Sequence, residues 1–380
     1  MVKMKVSCSQ EALSKALNIV GRAVATRTTL PIVTNVLMSA EGTELRLAAT
    51  NLEIGINYKM SAAVEETGAI AVPARLLAEL VHSLPNERID LEASSQSLIM
   101  TIRCLRYDAR VKGLDPRDFP PILGASEEVT TVLGADALKE AIKHVVFAAA
   151  TDDTRPVLTG VYMKLEGEEM TLAAADGFRL AVLRSPLLRE VAGPVEVIVP
   201  ARSLSELSRI IEEEEKPVEL TVTPSKGQIL FHCSSVDMFS QLIQGTFPNY
   251  SQLIPTSFTS RVVVPTDDFL KAARVASIFA RDASGIVRLQ MAPGDEMLPA
   301  RMTISARAEE VGENQGEVDA VVEGDAGKIA FNAKYLTDVL NVLSVRQVAL
   351  ETNSPSSPGL LRPVGQDTYV HVIMPMFVQW

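Results

Sequence analysis

The chain is poor in the residues from which most active centres are built. Its three cysteines, Cys8, Cys104 and Cys233, are an odd number with no CxxC spacing in 380 residues. That excludes a disulfide framework and a cysteine-based zinc site. Cys104 and Cys233 close strand-like alternations, so both read as small buried hydrophobes. The four histidines, His82, His144, His232 and His371, are scattered, with no HExxH. There is no GxGxxG behind a strand, no GxxxxGK[ST] and no GxSxG, so dinucleotide, nucleotide and serine-hydrolase sites are not expected, and no cofactor is expected. No uncharged apolar run approaches the ~20 residues of a membrane span. No charged start with an apolar segment and cleavage site marks a signal peptide. A soluble cytoplasmic protein without membrane contact is expected. Aromatics make up only 5% of residues, so the cores must be built from Val, Leu, Ile and Ala. The net charge of −11 taken alone opposes phosphates as partners.

One carboxylate group is the best candidate for catalysis. Asp152, Asp153 and Asp176 could offer oxygen ligands to a hard cation. Asp176, however, stands in Ala-Asp-Gly, where a carboxylate commonly stabilises a turn. No catalytic residues and no metal site are expected.

Against these absences stands a repetition. Leu30-Pro31-Ile32-Val33-Thr34-Asn35-Val36-Leu37-Met38 returns as Arg155-Pro156-Val157-Leu158-Thr159-Gly160-Val161-Tyr162-Met163, 125 positions on (31 to 156). Leu45–Asn51 returns as Met170–Asp176 at the same 125 (47 to 172). Val72-Pro73-Ala74-Arg75 returns as Val199-Pro200-Ala201-Arg202, 127 on (72 to 199), and a fainter copy begins at Phe331-Asn332-Ala333-Lys334, 132 further (199 to 331). A period of this length is a domain, not a solenoid unit.

Each repeat opens with a strand and an amphipathic helix, expected at Gln10–Ala25, Asp136–Ala149 and Asp267–Ala280 from apolar residues at helical spacing. Alternating strands and glycine turns follow. A second helix is expected from Pro73, Pro200 and Asn332, since proline suits a first helical turn. Strands outnumber helices, so the expected class is α+β: three tandem copies of one domain, each with antiparallel sheet and two helices. The boundaries are expected in the turn-forming stretches Leu123-Gly124-Ala125-Ser126 and Ile254-Pro255-Thr256-Ser257, dividing the chain into 1–125, 126–257 and 258–380.

Charge is distributed unevenly. The first helices carry Lys15 with Arg22, Lys139 with Lys143, and Lys271 with Arg274, at spacings that share a face. The second helices carry Arg75, Arg202 with Arg209, and Lys334. Each pair alone reads as a solvated helix face; their recurrence on equivalent helices suggests one phosphate-facing surface on an acidic protein.

Several segments together resemble the bacterial sliding clamp family, the β subunit of DNA polymerase III. They are Arg27-Thr28-Thr29-Leu30-Pro31-Ile32, Thr50-Asn51-Leu52-Glu53, Asp118-Phe119-Pro120, Ala175-Asp176-Gly177-Phe178-Arg179-Leu180, Gly245-Thr246-Phe247-Pro248-Asn249-Tyr250, Tyr335-Leu336-Thr337-Asp338-Val339-Leu340 and Val372-Ile373-Met374-Pro375-Met376. The resemblance implies a non-enzymatic processivity factor. It would be a head-to-tail homodimer closed into a ring of six domains around duplex DNA, without sequence preference. Implied partners are the replicative polymerase's catalytic subunit, an ATP-dependent clamp loader, and other replication and repair proteins.

By that resemblance the DNA-contacting bases fall on Arg27, Arg75, Arg202 and Arg209; Lys15, Lys139, Lys143, Lys271 and Lys334 join them from the helix-face pattern. The partner-peptide groove falls on Leu158, Ala175, Gly177, Phe178, Arg179, Leu180, Pro248, Leu253, Ser357, Val372, Met374, Pro375 and Met376. Methionine gives such a surface adaptable contacts. The dimer interface would pair the edge near Ala109 and Val111 with Ile278 and Phe279 of the other subunit. The chain departs from the family in its aromatic tail, Phe377 to Trp380, expected beside the groove, and in Phe178, where a histidine is common. Two readings compete: a peptide-binding scaffold that never encircles DNA, and a carboxylate-metal hydrolase using Asp152 and Asp176.

Overall fold

A computed structural model describes residues 3–94, 96–122, 128–212, 215–225, 227–281, 284–294 and 298–380. The boundary stretch expected at Leu123-Gly124-Ala125-Ser126 lies outside them. Two α-helices come from each repeat: α1 Gln10–Val20, α2 Ala74–Ser83, α3 Ala135–Val145, α4 Ala201–Ile210, α5 Thr266–Arg281 and α6 Ala333–Val342.

Helix α1 starts where the Ser9 hydroxyl accepts the Ala12 N–H, and it buries Leu13, Ala16, Leu17 and Val20 on one face. Helix α6 starts the same way, with the Asn332 side chain accepting from the Lys334 and Tyr335 N–H groups. Two expectations need correcting. The first helices of repeats one and two stop at Val20 and Val145, not at Ala25 and Ala149, and tighten into 3-10 turns at Gly21–Ala23 and Val146–Ala148. Gly21 weakens further α-helix in one case, and the β-branched pair Val145-Val146 in the other. Nor do Pro73 and Pro200 occupy a first helical turn: they end the strands Gly68–Pro73 and Val195–Pro200, and α2 and α4 begin one residue later.

The described chain gathers into two compact units, Met1–Asp136 with Glu206–Leu242, and Ala137–Ser205 with Ile243–Trp380. The first holds a five-stranded sheet and an eight-stranded sheet; the second holds a nine-stranded and a four-stranded sheet. Each large sheet is antiparallel and joins strands of two repeats. In the first unit Val236–Gln241 pairs with Ile54–Ser61, Val236 opposite Tyr58. In the second, Tyr369–Ile373 pairs with Arg179–Pro186, Tyr369 opposite Leu183. Tyr58 and Leu183 are themselves equivalent, 125 positions apart, so both junctions have the same register. The middle repeat thus lends strands to both large sheets, which is why three sequence repeats form two contact units.

The core is aliphatic. Val161, Met163, Leu165, Leu172 and Ala173 are fully buried in the second unit, and Leu45, Leu47, Ile54 and Ile56 are at most 1% exposed in the first. Each of these valine, leucine, isoleucine and methionine side chains contributes roughly 1.5–3 kcal/mol on burial. All three cysteines are free and buried. Burial pushes the Cys8 thiol up to about 12, which leaves it inert as a nucleophile at neutral pH.

Candidate functional site

The loop between the strands Glu169–Ala175 and Arg179–Pro186 borders an apolar cluster of the second unit. Gly177 turns it with φ +94°, and an added Cβ would lie 2.7 Å from the Arg155 guanidinium. The Asp176 carboxylate accepts the N–H groups of Phe178 (2.9 Å) and Arg179 (3.1 Å). Asp152 likewise accepts the Thr154 N–H at 3.0 Å. Both carboxylates therefore cap turns, and among the described residues no His, Cys, Asp or Glu group is arranged to hold a metal.

This turn presents Phe178, 57% exposed, at the surface. The Phe178 carbonyl accepts the Met374 N–H at 2.8 Å, which extends the ladder that pairs Leu180 with Val372. Leu158, Ala175, Leu180 and Val372 are buried in one apolar cluster with Val182, Val370 and Phe247, and Tyr162, Tyr250 and Ile254 pack against it. Pro248, Leu253 and Met374 are exposed, while Pro375, Met376 and Ser357 are half-buried. Ser357 is held in its turn by its N–H to the Ser354 carbonyl (3.2 Å) and a hydroxyl contact to Ser354 (2.8 Å).

Arg179 belongs beneath this surface. Its Nε donates to Asp176 (3.0 Å), Nη1 to Asp338 (2.6 Å) and Nη2 to the Phe147 carbonyl (2.6 Å). The guanidinium also lies 4.5 Å from the Tyr335 ring centroid and 5.4 Å from that of Phe147. Tyr335 stacks on Phe178, with ring centroids 6.5 Å apart. One buried cation thus fixes the loop, α6 and the turn after α3 together. Phe147, Val182 and Val370 were not named from the sequence, and Tyr335 and Asp338 appeared there only within a family-like segment, without a site role. Only the strand alternation that already marks Leu180 and Val372 could have pointed to the two valines.

His371 lies below, fully buried, with its ring 5.5 Å from Phe147 and its Nδ1 3.3 Å from the Tyr369 hydroxyl. Burial, assisted by the charge of Arg179, pushes its pKa down to about 3. A free imidazole protonates near pH 6.5. Between those values the unfolded chain binds the extra proton. The stability contributed by neutral His371 is therefore complete above pH 6.5 and lost as pH falls toward 3, by at most about 1.4 kcal/mol per pH unit. Urea midpoints are expected to fall between pH 6.5 and 5, and to fall less in His371→Phe. Equal slopes in the two proteins would remove the imidazole as the cause.

The basic residues lie on or beside the helices. Lys15 is exposed on α1, Arg27 in the segment after it, Arg75 on α2, Lys143 on α3, Arg202 and Arg209 on α4, Lys271 on α5 and Lys334 on α6; Lys139 on α3 is half-buried. Arg22, expected on the first helix, sits in the 3-10 turn beyond it and meets Glu206 at 3.2 Å. Glu206 also holds Arg209, at 3.2 Å. A cleft of about 680 Å³ in the first unit brings Lys15, Arg22 and Arg209 together. Arg75 pairs with Glu79 (2.9 Å), Lys143 with Glu140 (3.8 Å) and Lys334 with Asp338 (2.6 Å). Many of the bases thus carry a carboxylate one helical turn away.

Comparison with known proteins decides the family. Three models of the DNA polymerase III beta subunit match in order: its N-terminal domain at residues 4–123, its central domain at 132–249 and its C-terminal domain at 251–377. The beta sliding clamp of Synechococcus elongatus is 32% identical over 377 residues, covering 98% of this chain and 99% of its own. This chain belongs to the beta sliding clamp family. The DNA polymerase sliding clamp of Bacillus subtilis superposes with a TM-score of 0.93 at 29% identity, covering 99% of this chain and 100% of that one. A sliding clamp from Pseudomonas aeruginosa, solved bound to griselimycin, does so with 0.90 at 28%, covering 99% and 100%. The three tandem clamp domains expected from the repeats are those of this family, and the chain is a non-catalytic subunit, not an enzyme.

The clamp's aromatic tail runs along the strand Gly327–Asn332. The Met376 N–H donates to the Ala330 carbonyl at 2.7 Å, and Lys328 lies 5.6 Å from the Trp380 ring centroid. Phe377 between them is 93% exposed. No helix among the described residues is long and apolar enough to cross a membrane.

Proposed function

We propose that two copies of this clamp join head to tail into a closed ring that encircles duplex DNA, and that each copy tethers replication and repair proteins through the groove around Leu180, Val372, Phe178 and Met374. Unpaired strand edges carry this reading. At both internal junctions a final strand of one repeat pairs with a middle strand of the repeat before it, in one register. The first repeat has the final strand, Tyr107–Lys112, and the third has the middle strand, Gly312–Asp319; both lie at sheet edges. Applying the same register across two copies sets Asp108 opposite Gln315, Arg110 opposite Glu313 and Tyr107 opposite Gly316. A head-to-tail contact that satisfies both edges of each copy closes.

Ala109 lies in the first edge strand, and Ile278, 56% exposed, lies on α5, which packs beside the second. Val111 is buried within its own repeat, and its outward-facing neighbours Arg110 and Lys112 carry the backbone groups of that edge. Phe279 is half-buried at the same end of α5.

The helix bases supply a weak, sequence-independent attraction to phosphates, tempered by their neighbouring carboxylates, which suits sliding better than grip. A net charge of −11 disfavours DNA elsewhere. The domains are those bounded at residues 125 and 257, and the working compartment is the cytoplasm. Partners are the polymerase catalytic subunit, other clamp-binding proteins and an ATP-dependent loader. The test is retention on nicked circular DNA after loading. Linearising the circle is expected to release the protein. Reversing Arg75 and Arg202 to Glu is expected to reduce loading severalfold at low salt while leaving the fold intact. Persistent binding to linear DNA would mean direct grip; peptide binding without any loading would favour a scaffold.

A further inference from the structure

The groove of the second unit has a counterpart in the first unit, where the first and second repeats meet, and the two correspond position by position. The Met374 N–H donates to the Phe178 carbonyl at 2.8 Å, and the Gln241 N–H donates to the Glu53 carbonyl at 2.8 Å. From these bonds the ladders run in step. Leu180 faces Val372 and Val182 faces Val370 in one; Gly55 faces Phe239 and Asn57 faces Asp237 in the other. The walls correspond as well, with Phe119-Pro120 standing for Phe247-Pro248, and a depression of about 300 Å³ remains beside Leu37, Ala48 and Phe119.

Two exchanges alter its chemistry. Where the groove has Leu180 and Val372, the counterpart has a bare glycine covered by a ring: a Cβ on Gly55 would lie 1.8 Å from a ring carbon of Phe239. Where the groove has two valines, the counterpart has Asn57 and an Asp237 that is 3% exposed. His232 Nδ1 contacts the Asp237 carboxylate at 2.5 Å, and the Lys59 ammonium lies 3.7 Å away. An apolar side chain entering there would meet a buried charged group and offer it no hydrogen bond. The rim changes in the same sense, with Glu53 for Phe178 and Gln241 for Met374.

We propose that Phe239 over Gly55, together with the Asn57–Asp237 pair and its polar rim, seals the first unit's groove, so that each chain accepts an apolar partner peptide at one place only. This rests on the peptide-groove reading above. It assigns the number of peptide sites to particular side chains, because the backbone that could form a second site is already present.

The probe is griselimycin, titrated calorimetrically into the full-length protein. The parent is expected to bind one equivalent per chain. Transplanting the groove residues (Glu53→Phe, Gly55→Leu, Asn57→Val, Asp237→Val, Phe239→Val and Gln241→Met) is expected to raise this to two. The reciprocal variant, Leu180→Gly with Val372→Phe, is expected to lose affinity by about a hundredfold while melting cooperatively as a dimer. A folded transplant that still binds one equivalent, a reciprocal variant that binds like the parent, or a parent that binds two would each overturn the proposal. If the transplant does not fold, the reciprocal variant decides. A parent that binds neither griselimycin nor a polymerase-derived peptide would overturn the groove reading itself, and the sealing with it.

Discussion

Arg110→Pro is expected to convert the protein from a dimer to a 41.1 kDa monomer in sedimentation equilibrium, with little change in melting temperature. Hydrogen-bonded pairs alternate along an antiparallel ladder. The Gly113 N–H bonds the Leu98 carbonyl, so Tyr107, Ala109 and Val111 bond inward to the neighbouring strand. Asp108, Arg110 and Lys112 therefore point their N–H and C=O groups out of the sheet. A proline at an outward position leaves its own sheet's ladder intact, as edge strands allow. At each of the ring's two interfaces it removes one intersubunit donor and strands the acceptor opposite, about 2–3 kcal/mol per interface, or roughly a thousandfold to ten-thousandfold in dimer affinity. The same alternation on Gly312–Asp319, set by the Ala320 N–H on the Ala300 carbonyl, turns Glu313, Gln315 and Glu317 outward. Arg110→Glu should therefore weaken the dimer, and Glu313→Arg should restore it. Absence of that rescue would mean that the register projected from the internal junctions does not hold between subunits.

Arg179→Met is expected to destabilise the second unit by about 3–5 kcal/mol, as removal of one partner from a buried ion pair does. The Arg179 side chain is 6% exposed, and its loss leaves the Asp176 carboxylate and the Phe147 carbonyl without their cation and Asp338 with Lys334 alone. Arg179→Lys should recover only part of this, because an ammonium cannot reach three acceptors in a planar fork. The loop carrying Phe178 loses its anchor too, so griselimycin affinity should fall along with the urea midpoint. A variant as stable as the parent would show that the network is solvated and contributes little.

The repeat made much of the fold legible. Equal offsets at Pro31 and Pro156, and near-equal ones at Pro73 and Pro200, marked one domain reused, and the alternation of Leu45, Leu47 and Ala49 marked strands. Helix ends were less legible, because Val145-Val146 and Gly21 weaken continued α-helix locally, an effect that apolar spacing does not record. Arg179 could be placed in the groove segment by its neighbours, but its position beneath the surface depends on Asp338, 159 positions away.

The sequence by itself determined the three-domain architecture and the family, because these follow from residue identity and spacing along the chain. Only the tertiary structure decided that the middle repeat is shared between two sheets, which edges stay open, and that one of two homologous grooves is filled by Phe239. Strand partnership and side-chain volume are settled by contacts between residues far apart in sequence, and no local pattern encodes them.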